Sequence, residues 1–385
     1  MDYFSALPLE LNVLILENVD DWVSLEHLIQ TCPTVAALFE PGHDDPNTAA
    51  NPMALDIVKC VLANDPIMSH KLDRLFWLCA NLRHSPTYIK NDTIARFVSN
   101  DNEDRTESYE CTMTRTELRE MIRVAANIRR LACACLTSFV RCLQDNQPRC
   151  SSRDMRIETQ PTRHHLLLLH ADPPSWIEEY RVYRALWRLQ LHTDLIGAGV
   201  WPPDDSGHLM DQFMSAWSCS KEVTAGREMR SVSECLVKLY GKSRTDIPCS
   251  KNQGSSELIT CMPDTFVADV NLWVWSLPAQ PNDLTQFWGP GPGRGGRCNI
   301  VHWFSQLRER FHISEFYLEN DTVVDLALWA MGMWIWSDQR LREARLWRTE
   351  VDPAEGWVGV IGGWKTGVKN KSWSQRGSNP RPLAF

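Results

Sequence analysis

LPLELNVLILENVDDWVSLEHLIQTC, residues 7–32, is the stretch on which the reading of the fold turns. Pro8 suits the first turn of a helix, where its missing N–H would find no intrahelical acceptor anyway. Glu10 follows in that turn, at the end of the helix dipole that favours negative charge. Leu11, Leu14, Ile15 and Val19 recur at spacings of three and four, which draws one apolar stripe along an amphipathic helix. Asp20 and Asp21 interrupt it. Trp22, Leu25, Leu28, Ile29 and Cys32 then mark a second short helix that ends before Pro33. With a third short helix over 34–39, these segments make a unit of ~40 residues, at or below the size that folds alone. Its apolar faces need covering.

The order Leu7-Pro8-x-Glu10-Leu11, then Ile15-Leu16, then Leu25-x-x-Leu28 and Cys32 resembles the F-box. In that family the small helical module docks onto the Skp-type linker subunit of cullin-RING ubiquitin ligases. The resemblance covers about a tenth of the chain, and its motif is a degenerate pattern of apolar positions with one strong dipeptide. It implies that Leu7, Pro8, Leu11, Leu14, Ile15, Leu25, Leu28 and Cys32 meet the linker subunit. Leu7 and Pro8 would fix the entry of the helix, and Leu25 and Leu28 would fill a second contact. The same residues also suit an ordinary helical hairpin packed on its own chain.

A second stretch, SWIEEYRVYRALWRLQLHTDLIG over 175–197, opens with Ser175 and Glu178 at capping-box spacing and closes on Gly197. Tyr180, Tyr183, Leu186, Trp187 and Leu191 lie along one strip. Arg181, Arg184, Ala185, Leu186, Trp187, Arg188 and Leu189 are similar to an arginine- and aromatic-rich helix of F-box-like proteins from filamentous fungi. On this helix Arg184 and Arg188 are expected at the surface and Trp187 in the core.

The 385 residues suffice for two or three domains, and the formal charge of −8 is unevenly placed. Residues 1–60 carry ten acids against Lys59 alone, a balance of −9, so the remainder is close to neutral. A nucleic-acid partner, which would need a basic face, is not expected. The N-terminus lacks a basic leader, and the apolar run at 323–336 is too short to span a bilayer. A soluble intracellular protein, cytoplasmic or nuclear, with no membrane partner is expected. Thirteen cysteines without paired spacing read as reduced, buried thiols.

Residues 41–52 read as a linker, rich in proline and polar residues. Helices are expected over 53–62, 68–82 and 87–98. Thr114 and Glu117 then open a long helix whose apolar side runs from Leu118 to Leu143. Arg115, Arg119, Arg123, Arg129 and Arg130 lie between those positions and read as a solvated face. Further helices are expected over 210–219, 228–239, 265–275 and 300–311.

No arrangement that carries chemistry stands out. His164, His165 and His170 have neither the CxxC nor the HExxH company of a metal site. Gly241-Lys242-Ser243 resembles the end of a phosphate loop, but Leu236 occupies the place of its first glycine. The glycine-proline run at 289–297 lacks a strand-to-helix context and reads as a loop. Neither a cofactor nor a catalytic activity is expected. Eleven of the seventeen tryptophans fall in 273–373, where they fill gaps between helices or offer a surface for a client protein. Residues 350–385 lack apolar periodicity and read as a disordered tail or as translated non-coding sequence.

The fold expected is therefore all-α, with an F-box-like module over 1–40 and an irregular helical domain over 53–349 that would bind a client. The function expected is that of a substrate adaptor, with a helical scaffold free of any ligase, or an enzyme of unrecognised type, as the alternatives.

Overall fold

The computed structural model describes residues 7–40, 49–84, 113–145, 173–199, 225–240 and 275–282, together with 332, 335–337 and 340. This part of the chain is all-α. Eight helices are found among the described residues, and the only β-type pairing there is an isolated bridge between Ala49 and Thr114.

The first three helices are α1 (Leu9–Glu17), α2 (Trp22–Thr31) and α3 (Pro33–Phe39). Leu11 and Asn12 donate their N–H groups to the Pro8 carbonyl, so the proline opens α1 as its chemistry requires. Asp21 caps α2, its Oδ2 accepting Ser24 N–H and Ser24 Oγ–H, each at 2.8 Å. Pro33 occupies the first turn of α3. Helix α4 (Pro52–Asn64) takes in Pro52 as well, because Asn51 accepts the N–H of Met53 and leaves the proline in the first turn.

Helix α5 (Asp73–His84) begins later than residue 68, where apolar spacing would start it. The physical reason lies in 66–72. Asp65 Oδ1 accepts the N–H groups of Ile67 and Met68 and folds the chain into a turn, and Lys71 sits at φ +67°, which no right-handed helix admits.

The long helix α6 (Arg115–Asp145) starts with the expected capping box: Thr114 Oγ1 accepts Glu117 N–H and Glu117 Oε2 accepts Thr114 N–H. Helix α7 (Trp176–Gly197) packs against α5, α6 and α8 (Ala225–Tyr240), while α2 lies on α6. Helix α7 is covered on nearly every side, and its buried residues include Glu178, Glu179, Arg184, Arg188 and His192. One apolar core thus runs from Leu16 and Trp22 through Phe76 and Phe139 to Trp187 and Trp336.

Three expectations about arginines are overturned here. Arg129, placed with the solvated face of the long helix, is buried, and so are Arg184 and Arg188. Helical spacing located them correctly, but their surroundings are set by helices distant in sequence. Arg129 meets Glu179 at 3.0 Å, and Arg184 meets Glu228 through a two-pronged contact at 2.8 and 2.9 Å. Trp187 is in the core, as expected.

Trp275, expected to end a helix, stands in the irregular stretch 275–282, and 265–274 lie outside the described residues. So do the segments 87–98, 210–219, 289–297, 300–311 and 350–385, the Gly241–Ser243 tripeptide, and His164, His165 and His170.

Candidate functional surface

Helix α1 has two apolar sides. Leu16 and Asn12 face inward and are buried. On the other side Leu11, Leu14 and Ile15 stand at spacings of three and four with 47, 54 and 38% of their surface exposed. Among the described residues, these three and Met53 are the exposed large apolar side chains. Scattered exposed leucines are ordinary, whereas three on one helical face form a patch that water covers at a cost.

The helix is held so that this face stays outward. Asn64, the last residue of α4, donates its side-chain N–H to the Glu17 carbonyl at 2.8 Å, and Asn18 donates to the Leu14 carbonyl at 2.8 Å. The C-terminal turn of α1 is thereby satisfied and tied to α4. Asn12 Nδ2 reaches back to the Leu7 carbonyl at 3.4 Å, which sets the approach of the chain to Pro8. Pro8 is exposed and Leu7 half-buried. Glu10 and Glu17 flank Leu14 at four residues before and three after, so one margin of the patch is acidic.

The other residues of the implied linker-binding set lie elsewhere. Leu25 and Cys32 are buried in the chain's own core, and Leu28 is half-buried against it. Trp22 stacks on Phe76 with ring centroids 5.4 Å apart, and Glu26 pairs with Arg130 of α6. Leu25 is therefore enclosed in the chain's own core, in which α2 packs on α6. Of the eight residues, the structure brings Leu11, Leu14 and Ile15 together on an exposed face beside Pro8. Sequence reasoning marked Met53 only as a helix start, because exposure on a helix's first turn leaves no mark in apolar spacing.

The buried charges of α7 form a second candidate. Glu178 on α7 accepts from Arg340 Nε at 2.9 Å and from the Ser337 N–H at 3.0 Å. Asp194 accepts from Arg83 at 2.7 Å and from Gln190 at 3.0 Å. Burial pushes the Asp194 carboxyl above its ordinary value, and the Arg83 side chain works against that shift. Burial likewise pushes the thiols of Cys79 and Cys133 up, away from the thiolate that a nucleophile or metal ligand needs. Glu178 and Asp194 are thus tied to arginines on other segments of the chain, which fixes α7 against those segments.

Among the described residues no three histidine, cysteine or acidic side chains converge as metal ligands, and all seven cysteines there are free thiols. No described helix is long and apolar enough to cross a membrane. Comparisons with protein-family models, with curated proteins and with solved structures find no match to this chain.

Proposed function

We propose that the chain is an F-box-type adaptor that uses α1 to dock a Skp-family linker subunit and other helices to hold a client protein. The observation that carries the reading is the outward face of α1, Leu11, Leu14 and Ile15, on a helix whose opposite side is already packed. About half of each side chain is still exposed, so covering it contributes on the order of 1 kcal/mol, and the three together supply the centre of a contact. Pro8 fixes where the helix begins. Leu25 and Cys32, buried in the chain's own core, take no part in this contact, and Leu28 contributes only the part of its surface left uncovered.

The test is co-purification of the full chain with a Skp-family linker subunit. Leu11→Ala with Ile15→Ala is expected to abolish capture while the thermal unfolding of the chain stays within about 2 °C of the parent. Equal capture of parent and double variant defeats the reading.

A helical scaffold without a ligase partner is the second reading, favoured by one observation: α2 is seated in the same core as α6. Removing residues 1–45 would then uncover the apolar side of α6. Failure of the parent chain to bind any Skp-family subunit, with a truncated chain that aggregates, would favour the scaffold.

A further inference from the structure

Helix α8 meets α6 through two sulfurs. Cys135, in the middle of α6, and Cys235, on α8, are both buried, and both are free thiols. Cys235 Sγ lies 4.0 Å from the Cys135 carbonyl oxygen, and the two thiols stand within hydrogen-bond reach of each other. A side chain of one helix that reaches the backbone of another marks a close approach, which the short span of a disulfide requires. The two positions are 100 residues apart in the chain, so the fold alone brings them together.

Their surroundings give the two sulfurs different parts. The hydroxyl of Ser138, one turn beyond Cys135 on α6, also hydrogen-bonds Cys235. The Cys135 thiol, and after it the Ser138 hydroxyl and the Lys238 charge, hold the Cys235 thiol below its ordinary value against the opposing effect of burial. The same hydrogen bond, with burial second, pushes the Cys135 thiol well up. Burial pushes the Cys79 and Cys133 thiols up as well. The thiolate is the reactive form of cysteine, so Cys235 is the sulfur that reacts first and Cys135 the neighbour that resolves it. Ser138 is only half-buried, which leaves the pair one residue below the surface. An oxidant little larger than water fits that depth.

We propose that Cys135 and Cys235 are an oxidation site that hydrogen peroxide converts into a disulfide joining α6 to α8. The Cys235 thiolate attacks one peroxide oxygen and the O–O bond breaks. The departing hydroxide takes up the proton that the thiol gave up and leaves as water, and Cys235 becomes a sulfenic acid. The Cys135 sulfur then attacks the Cys235 sulfur, its proton passes to the departing hydroxyl, and a second water leaves as the S–S bond forms. Two electrons pass from the sulfurs to one peroxide. The bond ties α8, whose Glu228 grips Arg184 of α7, to α6.

The test exposes the folded, reduced full chain to hydrogen peroxide and ends the exposure with catalase. Unfolding in N-ethylmaleimide then caps the remaining thiols, and peptide mapping reads each cysteine. Tryptic peptides 131–141 and 231–238 are expected as one linked species that dithiothreitol separates, with fragmentation placing the bond at Cys135 rather than Cys133. Thiol is expected to disappear from the pair at least about tenfold faster than from Cys79 or Cys133. Cys133→Ala keeps the link. In Cys135→Ala, Cys235 is expected to accumulate as a sulfenic acid that dimedone traps on unfolding. The proposal is overturned if the folded chain keeps both thiols, if either links to a different cysteine, if Cys79 and Cys133 are lost as fast, or if dimedone finds no sulfenic acid on Cys235. Should Cys135→Ala not fold, the linked peptides and the rates in the parent chain decide alone.

Discussion

Arg340 Nε lies 2.9 Å from both carboxylate oxygens of Glu178, a contact between positions 162 apart in the chain. Glu178 was legible as a capping residue of α7, and it does accept the Ser175 N–H at 2.9 Å. Its second role is to anchor Ser337, which donates to it through N–H and hydroxyl.

Breaking this pair leaves a buried carboxylate alone, and Arg340→Ala is expected to cost about 3 kcal/mol at neutral pH in urea denaturation. Burial raises the Glu178 pKa, but the Arg340 side chain and the Ser175 and Ser337 N–H groups outweigh it and hold the carboxyl below its ordinary value. A depressed pKa contributes stability above the unfolded value of 4.5, and that contribution is lost as pH falls through the folded value. The deficit of Arg340→Ala should therefore shrink in acid. A deficit that stays constant down to pH ~3 would mean that packing, not charge, holds the region.

The two apolar faces of the N-terminal helices should respond oppositely to truncation. Leu14→Ala removes an exposed side chain and is expected to change stability by less than about 0.5 kcal/mol. Leu25→Ala empties a fully buried site and is expected to cost about 2–5 kcal/mol. Thermal or chemical unfolding of the two variants side by side checks this, and similar losses would contradict the exposure of α1.

Gly332 has φ +66°, and a Cβ there would come within 2.7 Å of Phe139 Cγ. Gly332→Ala therefore meets two penalties, about 1 kcal/mol for the left-handed backbone and about 1–3 kcal/mol for overpacking. The second is relieved by a smaller ring-site side chain. In a Phe139→Leu background the added cost of Gly332→Ala should drop by about 1 kcal/mol or more, measured as the coupling in a double-mutant cycle.

What the sequence made legible was local. The ends of α1, α2 and α6 follow from Pro8, Asp21 and the Thr114–Glu117 pair, whose partners are within four residues. The surroundings of Arg129, Arg184 and Arg188 were not legible, because charge pattern along a helix says nothing of a glutamate 50 or 44 positions away that will lie opposite it. The candidate surface was read in the same way. Apolar spacing marked both sides of α1 and α2, and only packing decides that Leu11, Leu14 and Ile15 face outward while Leu25 and Cys32 are buried in the core. The late start of α5 rests on Lys71, whose backbone angle no residue preference would have foretold.

The Glu178–Arg340 contact has a consequence for how the chain is born. During synthesis Glu178 leaves the ribosome 162 residues ahead of its guanidinium, a delay of roughly 10–30 s at usual translation speeds. Through that interval α7 cannot bury its acidic N-terminal turn without stranding a charge. The nascent protein must keep that end of the helix wet until Arg340 arrives to close over it.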